Sequence, residues 1–573
     1  MNATFRFQAI AAAFLAISTP CTRSALAQTA PDAGALQREA ERQPRQLPKP
    51  GAQAVPQAPP PAAAAAVRVS VKAFRLSGNT LISEPELQAV LAPWVGRELA
   101  FAELQQAANA VAEAYRKRGW FARPQLPAQD VSSGIIHINI LEGKLGEIRI
   151  DDGGKPLRVE RGMVSNAMTA RQKPGDPLNL DAMERSSNIL NDMPGVAVAT
   201  ILAPGQNPGE SDAIVKVQDK ALIAGTAQAD NTGSRSTGEL KLSLSLSIDN
   251  PSGKGDQIAV SANNSEGSTY LKISYSIPVG SDGLRVGVSA SALTYRLVGD
   301  DFAALKSKGD AQTFGVNASY PLLRSGTQNI ALAGALDRKT YYNEANQLAT
   351  SKKEVHALLV SVTGDMLDGF GNGGMTLWGG NLTLGNVDLS ANATNQTTDG
   401  NGPRTAGSYH KIGANIARLQ RLSDKATLWA SANGQVAGKN LDSSEKFALG
   451  GPSGVRAYPV MEATGDDGWL ATVEGRYNLL PDLQFSTFYD HGSIRRDHNG
   501  AYTGAQTPAS GALKGVGVGV SWSKPGVFSL RGTVANRLGS NPFRTTTAGP
   551  SFGKDSDGSY DKTRLWLTGT LFF

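Results

Sequence analysis

The sequence predicts a mainly β protein: a 16-stranded transmembrane antiparallel β-barrel, preceded by two small α+β modules and an N-terminal helix. Three observations predict this fold. Apolar and polar residues alternate with a period of two through much of residues 220–573. Two similar patterns of strand, helix, helix, strand and strand precede that region. Beyond the N-terminus, no apolar run reaches the roughly 18 residues that a transmembrane helix needs.

Residues 1–28 predict a secretory signal peptide. Arg6 supplies the positive start, residues 9–17 are apolar, and Ala25-Leu-Ala27 is a small-residue cleavage site. The only cysteine, Cys21, falls inside this segment, so we expect no disulfide in the exported chain.

A polar helix is predicted within residues 29–44. Asp32 is a candidate N-cap and Pro44 ends the run. Because this helix is polar nearly all round, it is either a solvated tail or a plug in a polar cavity. The proline- and alanine-rich residues 45–67 then predict an extended linker.

The two α+β modules are predicted at residues 68–143 (module 1) and 144–219 (module 2). Module 1 has predicted strands at 67–76, 121–127 and 135–141, with helices at 83–91 and 101–118. Module 2 has predicted strands at 145–150, 196–202 and 212–217, with helices at 159–168 and 178–193. In such modules a strand edge such as 121–127 can accept an extended partner strand, unless the modules are mere spacers.

The barrel is predicted over residues 220–573. Its sixteen alternating runs begin near residues 221, 237, 256, 269, 283, 311, 327, 353, 374, 406, 424, 468, 482, 512, 526 and 563. The non-alternate positions are mostly small, polar or charged, which favours a water-filled lumen over the core of a β-sandwich. An even number of strands closes the barrel without an open edge, as a bilayer requires.

A glycine-rich loop at about 438–468 lies between the eleventh and twelfth strands. Its motif residues are Gly450, Gly451, Val455, Arg456, Ala457, Tyr458 and Pro459. Gly450, Gly451 and Gly454 allow a positive φ, while prolines stiffen the same segment, so we expect one fixed shape. The alternative is a surface hairpin with a solvated arginine.

The next two strands predict partners for this loop. Alternation turns Glu474, Arg476, Phe488 and Asp490 into the lumen. If the loop folds inward, Arg456 can lie on Asp490 with Glu474 nearby, because a guanidinium pairs well with carboxylates.

The chain resembles the two-partner secretion transporters (TpsB proteins, the haemolysin-activator and filamentous-haemagglutinin-transporter family). Val455-Arg-Ala-Tyr-Pro459 is similar to the family's loop-six signature, and Phe488-Tyr-Asp490 to its luminal strand motif. The order of elements in the modules and the turn Ser77-Gly-Asn-Thr80 resemble periplasmic POTRA domains. Ala457 stands where the family commonly has glycine. The last strand, with Leu565, Leu567, Leu571 and Phe573 on one face, resembles the C-terminal signal of outer-membrane barrels.

The resemblance implies export of a large, partly unfolded β-helical partner of the TpsA type, which the two POTRA modules capture in the periplasm. It implies a barrel in outer-membrane lipid, an N-terminal plug helix, and biogenesis through periplasmic chaperones and the barrel-assembly machinery. The alternative function is that of an assembly or insertion factor of the same barrel superfamily, although two modules rather than five favour secretion. An outer-membrane-anchored enzyme is a weaker third option.

Other chemistry is sparse in the sequence. The 56 basic and 50 acidic residues are spread along the chain and give no nucleic-acid signal. The five histidines lack metal-ligand spacing, and no nucleophile-elbow or phosphate-loop motif occurs, so we expect no catalytic residue, metal, cofactor or use of ATP. Gly515-Val-Gly-Val-Gly519 predicts close packing on a strand. Asp555-Ser-Asp-Gly558 is either a partial calcium loop or a turn, and a turn is favoured because the later glutamate is missing.

Overall fold

The computed structural model describes residues 31–42, 68–299, 306–502, 504–544 and 552–573. The predicted signal peptide and linker lie outside the described residues. The first described element is helix α1 (Ala33–Glu41). Asp32 caps it, since its carboxylate accepts a 2.9 Å hydrogen bond from the Ala35 N–H. None of the described helices is long and apolar enough to cross a membrane.

Module 1 folds around its own hydrophobic core. It contains β1 (Arg68–Ser70), β2 (Ala73–Ser77), α2 (Glu84–Leu91), β3 (Glu98–Ala100), α3 (Phe101–Lys117), β4 (Ala122–Gln125) and β5 (Ile135–Glu142). The sheet order is β2-β5-β4, and β1 pairs separately with β3. The single strand predicted at 67–76 is therefore wrong. The chain changes pairing partners at Val71. The Val71 N–H donates to the Arg97 carbonyl oxygen, whereas the Lys72 N–H donates to the Gly134 carbonyl oxygen.

Module 2 repeats this plan. It contains β6 (Lys144–Asp151), α4 (Arg161–Met168), α5 (Leu180–Asp192), β7 (Val196–Pro204) and β8 (Glu210–Asp219), with sheet order β6-β8-β7. Its helices bury an apolar face that includes Met168, Ile189 and Leu190 against the sheet.

The sixteen-stranded barrel is closed, and the predicted fold class is confirmed. Its first strands are β9 (Ile223–Asp230), β10 (Lys241–Asp249), β11 (Gln257–Ser265), β12 (Ser268–Val279), β13 (Leu284–Arg296), β14 (Lys308–Arg324), β15 (Gln328–Ala345), β16 (Leu348–Asp368) and β17 (Gly374–Asp388). Helix α6 (Ala393–Asn401) is followed by β18 (Gly407–Arg421), β19 (Ala426–Ala437), the short loop strands β20 (Phe447–Leu449) and β21 (Ala463–Gly465), then β22 (Asp467–Leu480), β23 (Leu483–Arg495), β24 (Ser510–Lys524), β25 (Phe528–Arg537) and β26 (Thr563–Phe572). Every barrel strand begins within five residues of its prediction, the largest difference being 353 against Leu348.

Module 2 docks on one end of the barrel, which we call the proximal end; the opposite end is the distal end. Asp282, in the turn between β12 and β13, accepts hydrogen bonds from Arg171 (2.8 Å), Arg185 (3.0 Å) and the Tyr320 hydroxyl (2.6 Å). Burial alone would raise the pKa of Asp282, but these hydrogen bonds outweigh it and hold the pKa well below its usual range. The Arg324 side chain also pairs with Asp192 at 2.6 Å. Charged contacts therefore fix module 2 against the proximal turns.

Candidate functional site

The segment between β19 and β22, residues 438–466, is called loop 6 here, and its tip lies inside the barrel. Strands β20 and β21 pair to form a hairpin at its base. At the tip, Val455, Ala457 and Tyr458 are fully buried. Loop 6 is therefore packed into the lumen, and the alternative of a solvated surface hairpin is wrong.

Two of the three loop glycines adopt the backbone conformation that was predicted. Gly450 and Gly451 have φ values of 91° and 81°. Gly454 does not use this freedom, since its φ is not positive. It is required for close approach instead, because a Cβ at this position would stand 2.4 Å from the Gly450 carbonyl oxygen.

Arg456 lies between two luminal carboxylates. Its Nε and Nη2 donate to the two oxygens of Asp490 at 2.9 and 2.8 Å, and its Nη1 donates to Glu474 at 2.7 Å. The Arg456 backbone N–H also donates to Asp490, at 3.1 Å. Asp490 is fully buried, and the Arg456 side chain is 14% exposed. This is a bidentate ion pair, largely shielded from water.

The remaining contacts hold the guanidinium and its partners in place. The Cζ atom of Arg456 lies 3.3 Å from the ring centroid of Phe488, within cation–π distance. The Thr472 hydroxyl donates to Asp490 at 2.9 Å. Arg476 donates to the second oxygen of Glu474 at 2.7 Å. All four luminal residues predicted from alternation thus lie around Arg456.

Trp566, on the last strand, was not singled out from the sequence. Its indole N–H donates to the Arg456 carbonyl oxygen at 2.7 Å. It is 8% exposed, whereas Leu565 on the opposite face is 46% exposed. The sequence did contain a signal for Trp566. It lies between Leu565 and Leu567, and because side chains alternate along a strand, a strand that turns these leucines outward turns Trp566 inward.

The alternating glycines of β24 make room for this site. A Cβ at Gly515 would stand 2.7 Å from the Cβ of Ala457, and one at Gly517 would stand 2.4 Å from the Phe488 ring. The luminal face of β24 is therefore a flat surface on which loop 6 and Phe488 pack. Ala457 fits where the resembled family has glycine because it faces Gly515.

A second contact ties loop 6 to the segment between β25 and β26, which we call loop 8 (described at residues 538–544 and 552–562). Glu462 accepts hydrogen bonds from the Ser556 N–H (2.9 Å), the Ser556 hydroxyl (2.6 Å) and the Asn541 amide. Asp555 pairs with Arg537, whose Cζ lies 4.4 Å from the ring centroid of Tyr458. Residues 555–558 thus form a turn against loop 6. Burial, followed by the nearby Asp555 carboxylate, raises the pKa of Glu462 to about 7.

Helix α1 also lies in the lumen, against loop 6 and the barrel wall. Asp32 and Asp442 of loop 6 share the buried Lys353 ammonium of β16, at 3.0 and 2.8 Å. Arg38 donates to the Ser443 carbonyl at 2.9 Å. Gln37 donates to the Thr313 hydroxyl at 2.6 Å. Among the described residues, no group of three or more histidine, cysteine or acidic side chains is placed to hold a metal ion.

Comparison with known families identifies this arrangement. The family described as Haemolysin secretion/activation protein ShlB/FhaC/HecB matches residues 209–522, and the ShlB-type POTRA domain matches residues 69–143. The chain belongs to this haemolysin secretion/activation family. Its members are outer-membrane transporters of two-partner secretion, which work with a secreted partner protein through their POTRA domains. The transporter therefore resides in the bacterial outer membrane, with its proximal end and POTRA domain on the periplasmic side.

Individual relatives extend over nearly the whole transporter. The heme/hemopexin transporter protein HuxB of Haemophilus influenzae (strain 86-028NP) is 27% identical over 554 residues, covering 94% of this chain and 96% of HuxB. The outer membrane transporter CdiB of Dickeya dadantii (strain 3937) is 28% identical over 445 residues, covering 74% of this chain and 76% of that protein. The solved structure of CdiB from Escherichia coli has a TM-score of 0.69 at 23% identity, covering 94% and 95% of the two chains, and shares the fold.

Proposed function

We propose that the transporter passes a large β-helical TpsA-type partner through the barrel lumen in an extended, partly unfolded form, without ATP. This proposal rests on one observation, the filling of the barrel lumen by the transporter's own chain. Two segments of the transporter's own chain, α1 and loop 6, occupy the space that a passing strand would need. Helix α1 is held mainly by polar contacts that water or a passing chain can replace.

Removal of α1 tests this route. Deleting residues 29–44 should raise the single-channel conductance in planar bilayers, because the helix leaves the lumen while the barrel strands remain paired. A barrel that resists heat and migrates as a folded band serves as the folding control. Unchanged conductance in that folded barrel would contradict the proposed plug role of α1.

The partner is proposed to dock on an exposed strand edge of the modules. The predicted edge strand, β4, has only four residues, and Pro124 among them lacks an N–H. Strand β7 of module 2 is also at an edge and is nine residues long. The Asn191 side chain already occupies the backbone N–H and C=O of Val198, both at 2.8 Å.

The free part of this edge is the C-terminal half of β7. Alternate residues of a strand turn their backbone groups to the same side, so those of Thr200 and Leu202 face outward like those of Val198. Among the described residues, their outward groups have no backbone partner. The Ile201 and Leu202 side chains are 47% and 37% exposed. We propose that an extended, apolar-alternating segment of the partner pairs here.

Cross-linking tests this edge. Because Cys21 lies in the predicted signal peptide, an exported chain with one new cysteine is a clean probe. Leu202→Cys should form a disulfide with cysteine-bearing variants of the partner during export. Lys155→Cys, in an exposed loop of the same module, is the matched control. Equal cross-linking at both positions would contradict pairing at β7. As a test of the modules as a whole, deletion of residues 68–143 should abolish secretion without preventing barrel insertion.

One observation favours the alternative of an assembly or insertion factor. The closing pair β26–β9 has five paired strand residues, Thr568↔Asp230 to Phe572↔Thr226, and is continued by backbone hydrogen bonds of Gly225 with Phe573 and of Asn231 with Leu567, whereas β9–β10 has eight paired residues. A short seam is the natural place for a barrel to open sideways into lipid. A disulfide between cysteines at Ala227 and Leu571, which are paired across the seam, separates the two functions. Secretion through the lumen persists with the seam locked, whereas lateral insertion stops.

Biogenesis is proposed to depend on the last strand. Leu565 and Phe573 are 46% and 60% exposed, on the lipid-facing side of β26. We propose that periplasmic chaperones and the barrel-assembly machinery recognise this face before the barrel closes. Deleting Phe573 should lower the amount of folded barrel in the membrane without changing secretion per inserted molecule.

A further inference from the structure

The outer surface of β24 carries two lysines, one at each end of its apolar face. Lys514 and Lys524 stand on the same, lipid-facing side, separated by outward residues that are 36% to 58% exposed: Val516, Val518, Val520 and Trp522. Lys524 is at the proximal end, and Lys514 is toward the distal end, which is the extracellular side. A charged side chain on a lipid-facing strand is costly unless it reaches an interface or a counter-ion.

The depth of Lys514 places it near the outer-leaflet headgroups. Trp522 marks the proximal interface, because its indole N–H donates to Asp482 in a proximal turn at 3.0 Å. Eight residues, about 26 Å of strand, separate Trp522 from Lys514. At a tilt of about 40° this is about 20 Å along the membrane normal, inside an apolar band about 25 Å tall. The Lys514 ammonium therefore extends toward the headgroup layer of the outer leaflet.

No protein carboxylate neutralises this ammonium. Among the described residues, no acidic side chain lies within 4.0 Å of the Lys514 ammonium. The outward-facing Arg338 on the opposite wall is different, because Glu354 pairs with it in a bidentate manner at 2.8 and 2.9 Å. The counter-ion of Lys514 must therefore come from the surroundings of the barrel.

The neighbours of Lys514 form a surface that fits a lipid. His491 is its cross-strand partner, and the Trp469 ring lies edge-on to His491 at 4.9 Å between centroids. Trp469 also lines a shallow lipid-facing depression of about 480 Å³. Gly434, on the lipid-facing side of β19, keeps its floor low, and Ile412 and Val436 make most of it apolar, while the Asp467–Arg495 ion pair lies at its distal edge. A phosphate can thus lie at Lys514 while an acyl chain lies in the depression.

We propose that Lys514, His491 and Trp469 form a site for the phosphorylated glycolipid of the outer leaflet, lipid A of lipopolysaccharide. Lysine binds a phosphate as a point charge with three N–H donors, and the His491 imidazole adds an N–H donor beside it. The aromatic ring and the depression fit the sugar and the first acyl carbons. Such a lipid would brace strands β22 to β24, the strands that hold Glu474, Asp490 and Gly515 around loop 6.

Native mass spectrometry of the purified, folded full-length chain with added lipid A tests the site. Lys514→Gln should lower the occupancy of diphosphorylated lipid A at least about fivefold, since one charge-assisted contact is lost. Lys524→Gln is the matched control on the same face of the same strand, and it should stay within about twofold of the native chain. Trp469→Ala should lower occupancy as well, through the loss of the depression wall.

Two outcomes overturn the proposal. Equal occupancy in Lys514→Gln and Lys524→Gln would show that Lys514 does not bind the lipid. If phosphatidylglycerol binds as well as lipid A and is lost equally in Lys514→Gln, the surface takes any anionic lipid, and the assignment to lipid A is wrong. Heat resistance of each variant's folded band separates both outcomes from misfolding.

Discussion

Replacing Arg456 with alanine removes the centre of the lumen site and leaves the barrel strands intact. Asp490 would lose two side-chain hydrogen bonds and keep those from Thr472 and the backbone N–H of residue 456. Glu474 would keep its bond to Arg476. The substitution therefore leaves Asp490, which is fully buried, as the poorly compensated charge.

The magnitude follows from this geometry. Removing one partner of a buried ion pair costs about 3–5 kcal/mol. Loss of the guanidinium over the Phe488 ring, 3.3 Å from its centroid, adds about 1–2 kcal/mol in a shielded site. Loop 6 can avoid the whole penalty by moving its tip and admitting water to Asp490. The barrel strands need not rearrange when loop 6 moves, because they are paired with one another independently of loop 6.

We therefore predict that Arg456→Ala inserts, resists heat and migrates as a folded band, yet secretes little. Arg456→Lys should restore secretion only partly, because an ammonium cannot bridge both oxygens of Asp490 as a planar guanidinium does. Asp490→Ala should give the same defect as Arg456→Ala. The double variant should be no worse than either single one, since both remove one shared interaction.

Secretion of the partner, at matched surface amounts of each variant, decides this prediction. Arg476→Ala is the comparison variant, because Arg476 lies on the same luminal face and pairs with Glu474 at 2.7 Å but, among the described residues, makes no hydrogen bond to loop 6. It should secrete clearly more than Arg456→Ala, because Arg456 keeps both of its side-chain hydrogen bonds to Asp490. Normal secretion by Arg456→Ala, or defects of Arg456→Ala and Asp490→Ala that multiply in the double variant, would refute the reasoning.

Three further predictions concern the packing and release of the lumen segments. Gly515→Ala places a Cβ 2.7 Å from that of Ala457, so it should displace loop 6 at a cost of about 1–3 kcal/mol and reduce secretion, and adding Ala457→Gly should restore it. Lys353→Met removes an ion pair to α1 and should raise the fraction of time that channels are open in planar bilayers, short of the level in the 29–44 deletion. The pKa of Glu462 is about 7 in the folded chain against an ordinary 4.5, so the folded loop binds this proton more tightly and its contact with loop 8 weakens as the pH rises from about 4.5 through 7. The conductance should rise between about pH 5 and pH 7 in the native chain, level off above that range, and show no such rise in Glu462→Gln.

The barrel could be predicted from the sequence because its signal is local. Each strand shows its own period of two, so a run such as Leu240 to Ile248 is visible without knowledge of its neighbours. The break between β1 and β2 was missed because it depends on pairing with β3 and β5, which lie some 30 and 60 residues further along the chain. The three residues of β3 are too few to show any period.

The lumen site could be predicted only in part, for the same reason. Alternation identified which residues of β22 and β23 face inward, and a buried arginine needs carboxylates. It could not identify Trp566, because 110 positions separate it from Arg456 and only barrel closure brings them together. The same holds for Lys353 with Asp32, 321 positions apart. Such contacts follow from the order of strands around the barrel, which no local pattern records.

The two lumen segments differ in how strongly they are held, and this difference sets the order in which we expect them to move. Loop 6 buries a cluster of apolar side chains that includes Leu449 and Tyr458, and it carries the Arg456 ion pair. The buried apolar side chains of helix α1 are those of Ala33 and Leu36, and Arg38 donates to backbone carbonyls that water can satisfy.

The charges left in the barrel wall when each segment leaves predict the same order, with α1 moving before loop 6. When α1 leaves, the buried Lys353 keeps Asp442 at 2.8 Å, so Lys353 is not left as an uncompensated cation. When loop 6 leaves, Asp490 and Glu474 lose their shared arginine. An entering chain therefore meets less resistance from α1, and we expect the helix to vacate the lumen while loop 6 stays bound to the wall of β22 and β23.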